Sequence, residues 1–312
     1  MPDQGELRRF SQLIEVLRQE YGQLGITGLR HIGEGMDAKV YRAYSPELGP
    51  VAIKMPHARW VSSGNEPRLD TRTLLRQEWQ LSKHLRAHDL PTPEVFLLHA
   101  DDAGVDFIIS EFIESDGSGL PDAEFGRLIR AIHDLPVPAI DLVASKPSAD
   151  SDEVLAERIT QRLKKLTAIT GLPAGVPDIR AALSADRSAG GPRSLLHMDM
   201  RPANILVRSR RPVAVLDWSN ALVGDAALDL ARAAEYGSLT TAALAAYGNY
   251  GTFSMTPRTP RQIVYRLDTA VMLSHVFLNG APDQAKARHY IERTTDLCRV
   301  LLPGNYGSTW PT

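Results

Sequence analysis

Residues 197–206 read "HMDMRPANIL", and this stretch decides how the chain is read. It opens His-x-Asp, places Asn204 five positions after Asp199, and is followed thirteen positions later by Asp217 of "VLDW". Short apolar runs, "ILV" and "VAVL", lie between the polar groups. Any one Asp or Asn before a strand is ordinary turn chemistry. A His, two Asp and an Asn at this spacing instead offer a proton acceptor and two hard oxygen ligands. Asp199 can accept a proton from an attacking hydroxyl. Asn204 and Asp217 supply a neutral and a charged oxygen, which suits Mg²⁺, a cation that keeps several waters. Arg201, two residues past Asp199, can stabilise charge on a moving phosphoryl group.

Upstream, "HIGEGMDAKVYRA" contains Gly33-x-Gly35-x-x-Ala38. That spacing fits a dinucleotide fingerprint only when a helix follows directly. Here "AKVYRAY" follows and reads as a strand, which disfavours a dehydrogenase and suits a glycine flap over phosphates. Lys54 sits among apolar neighbours in "VAIKMP". A buried ammonium needs a partner; nucleotide phosphates would supply one, and a carboxylate on the next helix would hold it. Glu78, in the middle of "LLRQEWQLS", fits that place. Glu66 and Asp70 precede the helix and fit it less well.

The rest of the chain frames these motifs. It has 312 residues, a net charge of −2 and a pI near 6.5, which excludes the basic footprint of a nucleic-acid binder. One cysteine, Cys298, rules out an intrachain disulfide and reads as a small core residue. No 18-residue apolar run and no signal-like h-region occur, so a cytoplasmic protein without membrane contact is expected. Residues 1–113 read as an N-terminal helix followed by a five-stranded sheet with one helix inserted after the third strand; Asp70 or Thr71 caps that helix. From 114 to 312 the periodicity turns helical, with helices at 152–169, 178–185, 227–236, 239–249, 259–278 and 284–302. Only 194–217 reads as short strands. The expected class is α+β, a β-rich nucleotide-binding lobe before a helical lobe carrying the catalytic loop and acceptor site.

"HMDMRPANILV" with "VAVLDWSNALVGDAALDLAR" resembles the aminoglycoside phosphotransferase family, a small-molecule branch of the protein-kinase-like two-lobe fold. The resemblance covers most of 28–280 and is most specific over 197–232. It implies ATP or GTP bound between the lobes and phosphoryl transfer to a hydroxyl. It implies Asp199 as the catalytic base, Asn204 and Asp217 on Mg²⁺, and Lys54 on the phosphates. Glu111 and Ile113 of "SEFI" would hydrogen-bond the nucleotide base through their backbones, while Asp225 and Asp229 would be structural. The family often has Gly after the His and His two past the base; here Met198 and Arg201 stand there. "DWS" replaces "DFG", and a helix begins within about ten residues, leaving no room for a protein kinase's activation segment.

Antibiotics and other natural products are the expected acceptors, with sugars, choline or nucleosides as the metabolic alternative. A monomer or weak dimer is expected. A catalytically inactive nucleotide-binding pseudokinase is disfavoured because Lys54, Asp199, Asn204 and Asp217 are all retained. From 235 to 312 there are seven basic residues against five acidic ones (Glu235, Asp268, Asp283, Glu292 and Asp296), the wrong sign for trapping a polycation. The same span holds Tyr236, Tyr247, Tyr250, Phe253, Tyr265, Phe277, Tyr290, Tyr306 and Trp310, which suits a neutral or weakly charged, ring-bearing acceptor.

Overall fold

A computed structural model describes residues 4–62, 65, 68–101, 104–144, 150–171, 175–185, 193–249 and 253–302. The elements run α1 (Gln4–Gln19), β1 (Thr27–Glu34), β2 (Ala38–Ser45), β3 (Gly49–Pro56), β4 (Trp60–Val61), β5 (Leu69–Asp70), α2 (Thr71–Arg86), β6 (Val95–His99) and β7 (Phe107–Glu111). There follow α3 (Asp122–His133), α4 (Ser151–Thr170), α5 (Ile179–Ser184), β8 (Arg193–Leu196), β9 (Ile205–Arg208), β10 (Arg211–Val215) and β11 (Leu222–Asp225). The chain ends with α6 (Ala226–Glu235), α7 (Thr241–Tyr247), α8 (Pro260–His275) and α9 (Gln284–Leu301). Two compact units result: Met1–Val61 with Arg68–Ser118 and Leu206–Ser219, and Ser62–Pro67 with Gly119–Ile205 and Asn220–Thr312.

The first unit is built on an antiparallel sheet of order β1-β2-β3-β7-β6. Alternation along β3 decides its two faces. Val51, Ile53 and Met55 point to one side and pack with Tyr41, Phe107, Ile109 and with Leu13 and Leu17 of α1. The other side carries Lys54, which pairs across the ladder with Ile108. Ile108 packs with Val95 and with Leu75 of α2. So α1 covers one face and α2 the other, and Lys54 lies on the α2 side. Asp70 caps α2, its carboxylate accepting from the Arg72 amide at 3.0 Å.

The second unit is mostly helical. The β8–β11 ladder in it pairs Leu196 with Leu222, so the strand entering His197 lies against the strand that follows Asp217 and Trp218. The helix expected over 259–278 instead stops at His275 and continues as a five-residue π turn, Val276–Gly280, closed by the Ala281 amide on the Val276 carbonyl at 2.8 Å. The β4–β5 pair, two residues a side, is too short to leave a periodic signal. Cys298 is buried in α9, where burial pushes its thiol up to about 12. Among the described residues no helix is long and apolar enough to cross a membrane. Glu66, Tyr250, Tyr306 and Trp310 lie outside the described residues.

Helices α3 and α7 meet at Gly126, where an added Cβ would collide with the Ala243 backbone carbonyl. Gly126→Ala gains about 1 kcal/mol of helix propensity. The collision is with backbone and no rotamer relieves it, so the net result should be a loss of about 1–3 kcal/mol. Urea unfolding of the two proteins checks this, and an unchanged or raised midpoint would show that the helices can part without cost.

Candidate active site

In the first unit, the Lys54 ammonium donates to Glu78 Oε2 at 2.7 Å and lies 3.6 Å from Asp217 Oδ1. Burial alone would lower its pKa, but the charges and hydrogen bonds of Glu78 and Asp217 outweigh burial and raise it. Lys54 therefore stays charged. Asp217 has φ of 62°, a left-handed conformation rare for a residue with a side chain, and its carboxylate accepts from Ser219 Oγ at 2.9 Å. Gln77 holds that turn: its buried side-chain amide donates to the Trp218 carbonyl at 2.6 Å and to that of Ser219 at 3.3 Å. Adjacent residues of α2 thus serve two jobs, Gln77 on the turn after Asp217 and Glu78 on Lys54.

The glycine segment forms the β1–β2 hairpin, Gly33 facing Val40 and the Gly35 amide donating to the Ala38 carbonyl at 2.9 Å. The strand after the glycines excludes the dinucleotide-binding arrangement. At the end of β7 the Glu111 amide donates to the Glu94 carbonyl at 2.8 Å, and the Phe112 amide to that of Pro50 at 3.1 Å. Glu111 can then face a ligand only through its carbonyl, and Ile113 follows in irregular backbone.

In the second unit, Asp199 is 6% exposed and sits among donors. Asn204 Nδ2 donates to Asp199 Oδ2 at 2.6 Å and to its backbone carbonyl at 2.9 Å. Both contacts use the amide nitrogen, so Oδ1 is the atom Asn204 can offer a cation. Arg201 Nε donates to Asp199 Oδ2 at 3.1 Å, with about half of its side chain accessible. His197 is fully buried, and its Nδ1 accepts from the Asp199 amide at 3.1 Å. That makes it an orienting group of the loop.

The loop hangs on residues whose function no spacing revealed. Asp229 of α6 accepts the His197 amide at 2.9 Å and the Met198 amide at 3.0 Å. His133 Nε2 lies 3.2 Å from the same carboxylate, and its Nδ1 is 2.9 Å from the Tyr247 hydroxyl. Arg232 donates to the Met198 carbonyl at 2.6 Å and to Asp268 at 3.1 Å. Met198 has φ of 62°. Only glycine adopts that without cost. The strained methionine is held by having both its amide and its carbonyl clamped. The family resemblance had marked Asp229 as structural without naming its partners; for Arg232, Gln77 and His133 there was no signal.

Burial pushes the Asp229 carboxyl up, but hydrogen bonds and charge from His133 and His197 prevail and lower it. A lowered carboxylate supplies stability that is full above its unfolded value near ~4 and is lost as pH falls through the folded one. Asp229→Asn should lose about 2 kcal/mol or more at neutral pH, because donors to a buried charge are left poorly matched. Its stability should also fall less steeply than that of the unaltered chain on acidification below about pH 4. Urea unfolding across that range checks both; parallel curves would remove Asp229 from the acid response.

The chain matches the model of the APH phosphotransferase enzyme family over residues 28–261. No curated protein matches it in sequence. Among solved structures it is similar to aminoglycoside phosphotransferase APH(4)-Ia, with TM-score 0.64 and 14% identity over 93% of this chain and 98% of that one. It is also similar to a fructosamine-3-kinase candidate from Haemophilus somnus 129PT, with TM-score 0.67 and 17% identity over 94% and 98% of the two chains. APH(4)-Ia has also been solved in a ternary complex with AMP-PNP and hygromycin B. These likenesses carry the kinase-like fold, a five-stranded sheet unit and a helical unit. With the matched region running from the strand before the glycine hairpin past the Asp199 loop and α6, the chain belongs to the APH phosphotransferase enzyme family and is a small-molecule phosphotransferase.

Proposed function

We propose that the chain moves the γ-phosphoryl group of ATP, or of GTP, to a hydroxyl of a neutral or weakly charged small molecule, an antibiotic or other natural product. The carrying observation is the Asp199 carboxylate, kept nearly buried with Asn204 and Arg201 on one of its oxygens. Asp199 takes the acceptor's proton as the acceptor oxygen forms its bond to phosphorus and the bond from phosphorus to the leaving diphosphate breaks. Lys54, held charged by Glu78, neutralises nucleotide phosphates. Glu111 and Ile113 bind the base through their backbones. Arg201, long and half accessible, bears on the transferring group.

Gly33 and Gly35 support the same reading. Neither has a positive φ, and a Cβ on either would meet nothing closer than 3.9 Å. The open space at both positions leaves room for a phosphate to approach the backbone closely. Asn204 Oδ1 and the Asp217 carboxylate fit Mg²⁺, which accepts two hard protein oxygens and fills its shell with water and phosphate oxygens. Among the described residues no group of three or more His, Cys, Asp or Glu could cage a metal. When bound, Mg²⁺ would screen the charge on the phosphates. The AMP-PNP complex of APH(4)-Ia supports a nucleotide donor, and we take a monomer or weak dimer in the cytoplasm as the working form.

Acceptor charge follows from where the carboxylates are spent. Asp268 is fully buried under Arg158, Arg162 and Arg232. Glu235 is held by Arg266 and Arg293, and Asp296 by Arg299. Asp283 caps α9. Of the aromatics, Phe253, Tyr247 and Tyr265 are core, whereas Phe277 and Tyr290 stack 5.7 Å apart and stay partly accessible. Lys286 lies 5.1 Å from the Phe277 ring. A cation beside the platform discourages a cationic guest.

Turnover of ATP with Mg²⁺ should be measured against erythromycin, uridine, kanamycin and hygromycin B. Asp199→Asn should keep nucleotide binding and lose about 10²–10⁴-fold in kcat; unimpaired turnover would remove Asp199 from the chemistry. Uridine and the singly charged erythromycin should exceed the polyamino sugars in kcat/KM. A tenfold preference for kanamycin or hygromycin B would overturn the charge argument and leave the phosphotransferase intact.

A further inference from the structure

The glycine hairpin has little of its own to hold it. Gly33 and Gly35 carry no side chains, and Glu34, Gly35 and Met36 are all exposed, so packing does not fix the tip. The ladder fixes where the tip stands. Lys54 pairs with Val40, and Ala38, the first residue of β2, pairs with Pro56. The turn therefore lies just beyond a point two residues from the lysine, roughly 7 Å along the strand.

His57, the residue after β3, reaches that turn twice. Its amide donates to the Asp37 carbonyl at 2.8 Å, and its ring Nε2 lies 3.0 Å from the Gly35 carbonyl. A carbonyl oxygen only accepts, so Nε2 carries the proton and donates. Glu34 Oε1, 3.6 Å from the same nitrogen, favours a donor there as well. The Gly35 amide donates to the Ala38 carbonyl, so both backbone groups of Gly35 are engaged. His57 is braced on either side. Arg9 of α1 donates to the Pro56 carbonyl at 3.0 Å, and Thr71 Oγ1, at the start of α2, donates to the Ala58 carbonyl at 2.8 Å. The ring thus joins a fixed stretch of chain to a turn that glycine leaves free to vary.

We propose that His57 is a positioning residue for the glycine flap, its Nε2–H holding the Gly35 carbonyl so that the turn stands ready for nucleotide phosphates. This rests on the hairpin being a flap over those phosphates. A flap ordered before the nucleotide arrives spares binding the cost of ordering it. The effect falls on ligands that carry phosphates and leaves a nucleoside untouched.

His57→Met keeps much of the bulk and removes the donor. His57→Gln returns an amide N–H at the place of the imidazole Nε2–H. Calorimetry in the presence of Mg²⁺ measures AMP-PNP and adenosine on the unaltered chain and on both variants, and steady-state assays give KM for ATP. The inference expects His57→Met to weaken AMP-PNP about 3- to 10-fold, the worth of one neutral hydrogen bond. Adenosine should bind as before, His57→Gln should recover most of the AMP-PNP affinity, and KM for ATP should follow the same order. Unchanged AMP-PNP affinity in His57→Met overturns the inference. An equal loss for adenosine also overturns it, because the damage would then be to the sheet as a whole. So does His57→Gln binding no better than His57→Met, which would assign the effect to the ring or its charge and not to the donor. An unaltered chain that binds no AMP-PNP defeats the nucleotide reading first, and this inference with it.

Discussion

Two backbone amides and an imidazole converge on the carboxylate of Asp229. The loop 197–204 depends on that convergence. A buried charge is tolerable only when donors surround it, and a loop with Met198 in a left-handed conformation persists only when its neighbours over-determine it. Each requirement answers the other. The loop supplies the donors that Asp229 needs, and Asp229 supplies the clamp that Met198 needs. Arg232 closes the arrangement by holding the Met198 carbonyl and passing its own charge to Asp268.

Asp268 extends the same logic inward. It is fully buried, and Arg158, Arg162 and Arg232 bond it from α4 and α6. Burial raises its carboxyl, and the three guanidiniums more than reverse this and lower it. Such a cluster contributes less net stability than its charges suggest, because each ion was taken out of water. Its consequence here is geometric: the helices that carry Arg158 and Arg232 are tied to one point of α8, and the loop is tied to Arg232.

The first unit solves a smaller problem by strand alternation. Lys54 faces α2 because Val51, Ile53 and Met55 face α1. A one-residue slip of β3 would put the ammonium into the apolar cluster. Glu78 receives it, and the neighbouring Gln77 fastens the turn that sets Asp217 3.6 Å from the same ammonium.

Local pattern carried a good deal of this. The strands of the sheet, the helix α2 with its Asp70 cap, and the closeness of Asp199 to Asn204 are short-range facts, since period-2 alternation, capping chemistry and a five-residue loop act within a few residues. Lys54 and Glu78 were legible as a pair for an energetic reason: a lysine among apolar neighbours demands a carboxylate, and few helical ones were on offer. The π turn at Val276–Gly280 was not legible, because one extra residue per turn barely alters a helical pattern. Nor were Gln77, His133 and Arg232, whose partners stand 141, 96 and 34 residues away in the chain. Composition and spacing determined the chemistry this sequence can offer and the order in which it offers it. Tertiary structure alone decided which polar groups are buried and must therefore find partners, because burial depends on which distant faces pack together, and only burial turns an ordinary Asp on a helix into the clamp of the 197–204 loop.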